Sequence, residues 1–140
     1  MQLNNQLTFP CNVKHLKTVR NFVRKELSKH QINEVLKSQL VLAIDEVCTN
    51  LIIHSNQNDD SKTIVLYLKI LTAPKAISIE LKENGKVFDY PNYKEPKIAD
   101  LLENRANGQL GLMLVRRIMD KIEYIQHENQ NICRLYKSLG

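Results

Sequence analysis

The chain has 140 residues, 43% hydrophobic and 25% charged, a composition that supports one globular domain over residues 1–140 with its own core. No apolar run approaches the roughly 20 residues that span a bilayer, and the opening MQLNNQLTF lacks a basic segment followed by a long apolar stretch, so a cytoplasmic protein without a membrane partner is expected. The formal charge of +5 is dispersed, with Glu26 among the basic residues from Lys14 to Lys29 and no Trp, which argues against nucleic acid as a partner.

In chain order, Gln2 to Phe9 alternates Leu3, Leu7 and Phe9 with polar residues and stops at Pro10, the pattern of a short strand. Asn12 offers a helix cap, and Val13, Leu16, Val19, Phe22, Val23 and Leu27 recur at helical spacing up to about Lys29. A second helix is expected from Ile32 or Asn33 to about Ser55, with Leu36, Leu40, Ile44, Val47 and Leu51 as its core stripe and Asn56 to Ser61 as a polar turn. Thr63–Leu71 and Ala76–Leu81 read as a hairpin joined across Thr72–Lys75. Tyr90 to Arg105, with Pro91 and Pro96 and a weak helical patch from Ile98 to Leu102, reads as a loop. Leu110–Ile118 forms a third helix, and Ile122–Gln126 and Ile132–Leu135 close the chain as strands around a turn at Glu128–Asn131. This order predicts an α/β two-layer sandwich, a mixed, mainly antiparallel sheet covered on one face by helices. Cys11, Cys48 and Cys133 are odd in number and far apart, so free thiols are expected rather than disulfides or a zinc site.

The most informative stretch is Val41 to Asn56, VLAIDEVCTNLIIHSN, where Glu46, Asn50 and His54 follow one another at four-residue spacing. At about 100° per residue they share an arc of about 80° on one helix face. Leu42, Ala43 and Ile53 flank that arc, and a carboxylate removed from water among such neighbours needs a ligand, a metal or a proton-transfer partner. Two glycine segments accompany it: Glu83-Asn84-Gly85-Lys86-Val87-Phe88-Asp89, and Gly108-Gln109-Leu110-Gly111-Leu112 opening the third helix. Glycines at a helix start let unpaired backbone N–H groups meet phosphate. Asn50 could offer its amide oxygen to Mg2+, and Glu46, one turn away, could take a proton from a hydroxyl nucleophile. The bland readings are a surface Glu46–Asn50 pair, a helix-ending His54, a simple turn at Gly85 and a solvated Arg105.

AIDEVCTNLIIH, the glycine turn and GQLGLMLVRRIMDKIEY together resemble the ATPase-kinase superfamily of histidine kinases, gyrase, Hsp90 and MutL. Within it the chain is most similar to the single-domain bacterial anti-sigma factor kinases, which phosphorylate serine or threonine on an anti-anti-sigma protein. The resemblance implies a Bergerat-type ATP-binding fold, ATP with Mg2+ held through Asn50, Glu46 as catalytic base, and a flexible lid ahead of Gly108. It places Glu83, Gly85 and Val87 at the adenine end, Gly108, Gly111 and Leu112 at the phosphates, and Arg105 within reach of the γ-phosphate. It implies an anti-anti-sigma-type protein substrate and a sigma factor as second partner, and leaves a homodimer open. Three positions depart from the family pattern: Glu83 stands for the usual Asp, Val87 for a Gly, and Gln109 for a Gly found in close relatives. Val87 and Gln109 favour an alternative, a partner-sequestering module with weak ATP binding and no efficient phosphotransfer. A sensor-kinase fragment acting on histidine ranks last, because no dimerisation helix pair precedes the motifs.

Overall fold

The computed structural model describes residues 3–56, 58–83, 109–127 and 130–139. Strand β1 (Leu3–Pro10) leads through a 3-10 turn (Val13–His15) into helices α1 (Leu16–Leu27) and α2 (Glu34–Asn50), and a wide π-type turn (Leu51–Ser55) follows. The hairpin β2 (Thr63–Thr72) and β3 (Lys75–Glu83) comes next, then α3 (Gln109–Ile118) and a second hairpin, β4 (Lys121–His127) and β5 (Gln130–Ser138). The five strands form one sheet in the order β1-β2-β3-β5-β4. The sheet expected as mixed and mainly antiparallel is antiparallel at every pairing of the described strands.

Helices α1 and α2 follow apolar stripes, and α2 also opens on a capping residue. Val19, Val23 and Leu27 repeat every four residues and form the buried side of α1. Val13, expected on that stripe, is 44% exposed. The Asn12 side chain accepts from Lys14 N and opens a 3-10 turn, whose tighter pitch turns Val13 off the stripe. Asn33 caps α2, its side-chain oxygen accepting from Leu36 N at 2.7 Å. Leu40, Ile44, Val47 and Leu51 are buried as expected.

These stripes pack on one face of the sheet, against Ile64, Leu66, Leu68 and Ile70 of β2, Ile77, Ile79 and Leu81 of β3, and Leu135 of β5. Arg20 of α1 ties to Asp45 of α2 at 2.9 Å, and Asn5 of β1 donates to Glu26 of α1. The other sheet face stays polar: Arg134 bridges Glu80 and Glu123, and the Lys82 ammonium lies 5.1 Å from the Tyr67 ring centre. Of two expected turns, the described residues Glu83, Gln130 and Asn131 are strand, and the rest lie outside the described residues. Glu83 is the last residue of β3 and Asn131 the second of β5, and the two face each other across the ladder.

Candidate active site

Glu46 and Asn50 stand one turn apart near the C-terminal end of α2. The Asn50 amide donates through Nδ2 to the Glu46 backbone oxygen at 2.8 Å, which turns its Oδ1 to the opposite side as the available acceptor. Asn50 is buried and Glu46 half-buried. Burial raises the proton affinity of the Glu46 carboxyl above the usual carboxylate range, and the charge of Asp45 adds to the effect. The apolar setting expected around this pair is one-sided. Ala43 is fully buried, whereas Leu42 and Ile53 are 40% and 44% exposed, so the Glu46 face opens toward solvent.

A second polar group lies in an otherwise apolar core. Glu83 is 2% exposed, Asn131 2% and Asn56 0%. Glu83 takes the core face of β3 in register with Leu81 and Ile79, because the strand alternation carries on past its apolar residues. The Asn56 Nδ2 donates to Glu83 Oε2 at 3.1 Å and to Leu51 O at 2.8 Å. Cys11, following β1, lies near enough for the Glu83 charge to reinforce burial in pushing its thiol up to about 11, against an opposing effect of Lys62. A carboxylate in this position costs several kcal/mol, on the order expected for a buried ion, unless its partners offset desolvation. Asn56 supplies one such partner.

The structure thus brings Glu46 and Asn50 onto one helix face, and ties Glu83 of β3, through Asn56, to the segment that follows that helix. Gly111 and Leu112 fall in the first turn of α3, which packs against α2. Gly85, Val87, Arg105 and Gly108 lie outside the described residues, as do the expected loop at Tyr90–Arg105 and the side chain of His54. Asn56 was read from sequence only as the start of a polar turn. A signal for it exists: Ile44, Cys48, Ile52 and Asn56 recur every four residues and all four are buried, so Asn56 extends the inner stripe of α2.

Among the described residues, no three His, Cys, Asp or Glu side chains converge as a metal cage. One amide oxygen such as Asn50 Oδ1 suits Mg2+, a hard cation that fills most of its octahedron with phosphate and water. A buried carboxylate, Glu83, bonded to Asn56 just beyond the end of α2, suits a hydrogen-bond donor on a base. The amide oxygen of Asn50 and the Glu83 carboxyl are groups of the kinds that a Mg-nucleotide would use.

The chain is similar to known proteins over most of its length. The chain is 27% identical over 88 residues to the serine-protein kinase RsbW of Bacillus pumilus, covering 60% of this chain and 54% of that protein. It is 26% identical over 96 residues to the serine/threonine-protein kinase BtrW of Bordetella bronchiseptica, covering 69% and 66%. The chain thus spans about half to two thirds of the length of these curated relatives. In fold it is similar to the crystallised RsbU and RsbW domains of a Mycobacterium tuberculosis protein, with a TM-score of 0.65 at 12% identity over 98% of this chain and 32% of that one. A chain of the SiaB–SiaC complex from Pseudomonas aeruginosa matches with a TM-score of 0.59 at 10% identity, over 95% and 88%. The model of the histidine kinase-like ATPase domain matches residues 9–137, nearly the whole chain, which therefore belongs to that family.

Proposed function

We propose that the chain is a cytoplasmic protein kinase of the anti-sigma factor type. It binds Mg-ATP between helices and sheet and transfers the γ-phosphoryl group to a serine or threonine hydroxyl of an anti-anti-sigma-type partner, with a sigma factor as its second partner. The observation that carries this reading is the Glu46–Asn50 pair, a carboxyl of raised proton affinity one turn from an amide whose nitrogen is bonded back to the helix, on the side away from its oxygen. The kinase names of the relatives support the same chemistry.

Bound Mg-ATP supplies an electrophilic phosphorus and an ADP leaving group whose charge the metal neutralises. Asn50 would hold the metal through Oδ1. Glu46 accepts the proton of the attacking hydroxyl as its oxygen bonds to phosphorus and the bond to the bridging oxygen breaks. The raised proton affinity makes Glu46 a stronger base than an ordinary carboxylate. Backbone N–H groups in the first turn of α3, at Gly111 and Leu112, receive phosphate oxygens, and Glu83 accepts from the base.

Calorimetric titration of the full chain with Mg-ATP tests the reading. Binding is expected, weakened at least about tenfold by Asn50→Ala, in line with the loss of a charge-bearing ligand contact. No heat and no thermal shift at millimolar nucleotide would sink it. Given binding, Glu46→Gln is expected to slow transfer of labelled phosphate to an anti-anti-sigma-type protein by roughly 10²–10⁴-fold, the usual worth of a general base. Equal rates would reject the base, and tight binding without transfer would favour the sequestering alternative.

A further inference from the structure

We propose that Asn56 is a positioning residue for the base end of the nucleotide site. It holds the Glu83 carboxylate in the orientation that receives the amino group of a 6-aminopurine, so discrimination for that amino group depends on Asn56 as well as on Glu83. The assignment rests on the ATP reading above and deepens it with a residue that the reading did not use.

The Asn56 amide cannot flip. Its Nδ2 faces two acceptors, Leu51 O at 2.8 Å and Glu83 Oε2 at 3.1 Å, and exchanging nitrogen for oxygen would set an acceptor against a carbonyl and a carboxylate. The backbone of Asn56 is pinned at the same point, its N–H donating to Leu51 O at 3.1 Å. Leu51 directly follows Asn50. Through one carbonyl oxygen, then, the position of the Glu83 carboxylate is referred to the helix that carries Glu46 and Asn50.

Length explains why such a tether matters. A glutamate has one more side-chain torsion than an aspartate, and leaving that torsion free would cost rotamer entropy each time a base bound. Asn56 removes the freedom before binding, which is preorganisation in the ordinary sense. The local inventory also points to the kind of ligand. Asn56 Oδ1 is buried and has no hydrogen-bond partner among the described residues, and it belongs to a residue bonded to a carboxylate, so this corner of the core is rich in acceptors. An exocyclic amino group brings donors to it. A 6-oxo group would bring another acceptor, and a 6-hydrogen would bring nothing.

Asn56 could instead do no more than hold the turn after α2 together, and the test separates the two roles. Dissociation constants are measured for ATP and for purine riboside triphosphate, which lacks only the 6-amino group, on the wild-type full chain and on Asn56→Ser and Asn56→Asp. The wild type is expected to prefer ATP by about tenfold or more, the usual penalty when a built hydrogen-bonding site meets an analogue without its group. Either variant is expected to compress the preference to about twofold or less, chiefly by weakening ATP. An unchanged preference with both affinities falling together would overturn the positioning role and leave a structural one. A wild type that binds both nucleotides equally would overturn it without any variant, which covers the case in which neither variant folds. A wild type that binds neither nucleotide would bring down the ATP reading itself, a distinct outcome.

Discussion

Glu46 is half-buried beside Asp45, and both burial and that neighbouring charge disfavour its ionised form in the folded protein. Its folded-state pKa lies above the ordinary 4.5, so the folded state holds the proton more tightly than the unfolded chain. Stability linked to this group is therefore greatest below pH 4.5, falls as pH rises through the folded pKa, and stays reduced above it. Glu46→Gln removes the charge while keeping the shape. It is expected to raise the thermal midpoint at pH 8 and to leave it unchanged at pH 4. An equal rise at both would show that packing, not charge, is responsible. The same titration governs the proposed base, so transfer rates are expected to climb with pH through the raised pKa and then level. At this scale the sequence spoke clearly for Glu46 and Asn50, whose spacing alone puts them on one face. Asn56 is marked only by its place on the four-residue repeat Ile44, Cys48, Ile52 and Asn56, because by composition a buried asparagine in a run of Ser, Asn, Gln and Asp is indistinguishable from a solvated one.

The helices and hairpins were readable because their signals are local. Asn33 illustrates this: its cap bond to Leu36 N starts α2 and sets the register in which Glu46 and Asn50 face the same way. Asn33→Ala is expected to cost about 1 kcal/mol in urea denaturation, and Asn33→Asp or Asn33→Ser to recover most of that. A loss below a few tenths of a kcal/mol would show that α2 is fixed by packing alone. The ends of β3 and β5 were misread for the opposite reason. Glu83 and Asn131 occupy core-facing strand positions, but hydropathy hears polar residues as turn. What keeps them extended is their pairing across the ladder, a contact between residues far apart in sequence. On the proposed reading, function accounts for the misreading as well. A carboxylate is placed where a leucine would pack, at the one end of the sheet where a base would need it.

One apolar cluster joins the helices to the sheet, running from Phe9 of β1 and Cys11 just after it, through α1 and α2, to Val115 of α3 and Leu135 of β5. Its three cysteines come from three separate parts of the chain: Cys11 beside β1, Cys48 in α2 and Cys133 in β5. All are buried. Burial pushes the Cys133 thiol up to about 12 and the Cys48 thiol higher still, with Glu83 reinforcing burial at Cys11. Since the thiolate is the reactive form, all three are protected twice, by access and by proton affinity. Their reactivity therefore reports the opening of the core as a whole. In a titration with an aromatic disulfide reagent at pH 8 across a urea gradient, the three thiols are expected to stay silent in the native range. They should then appear together, over the urea range in which helix circular dichroism is lost. One thiol reacting fully before that transition would show that its element opens independently. If that thiol were Cys11, the opening would expose the strand end beside Glu83 and place the base end of the site in a less stable part of the molecule than the α2 face that carries Glu46 and Asn50.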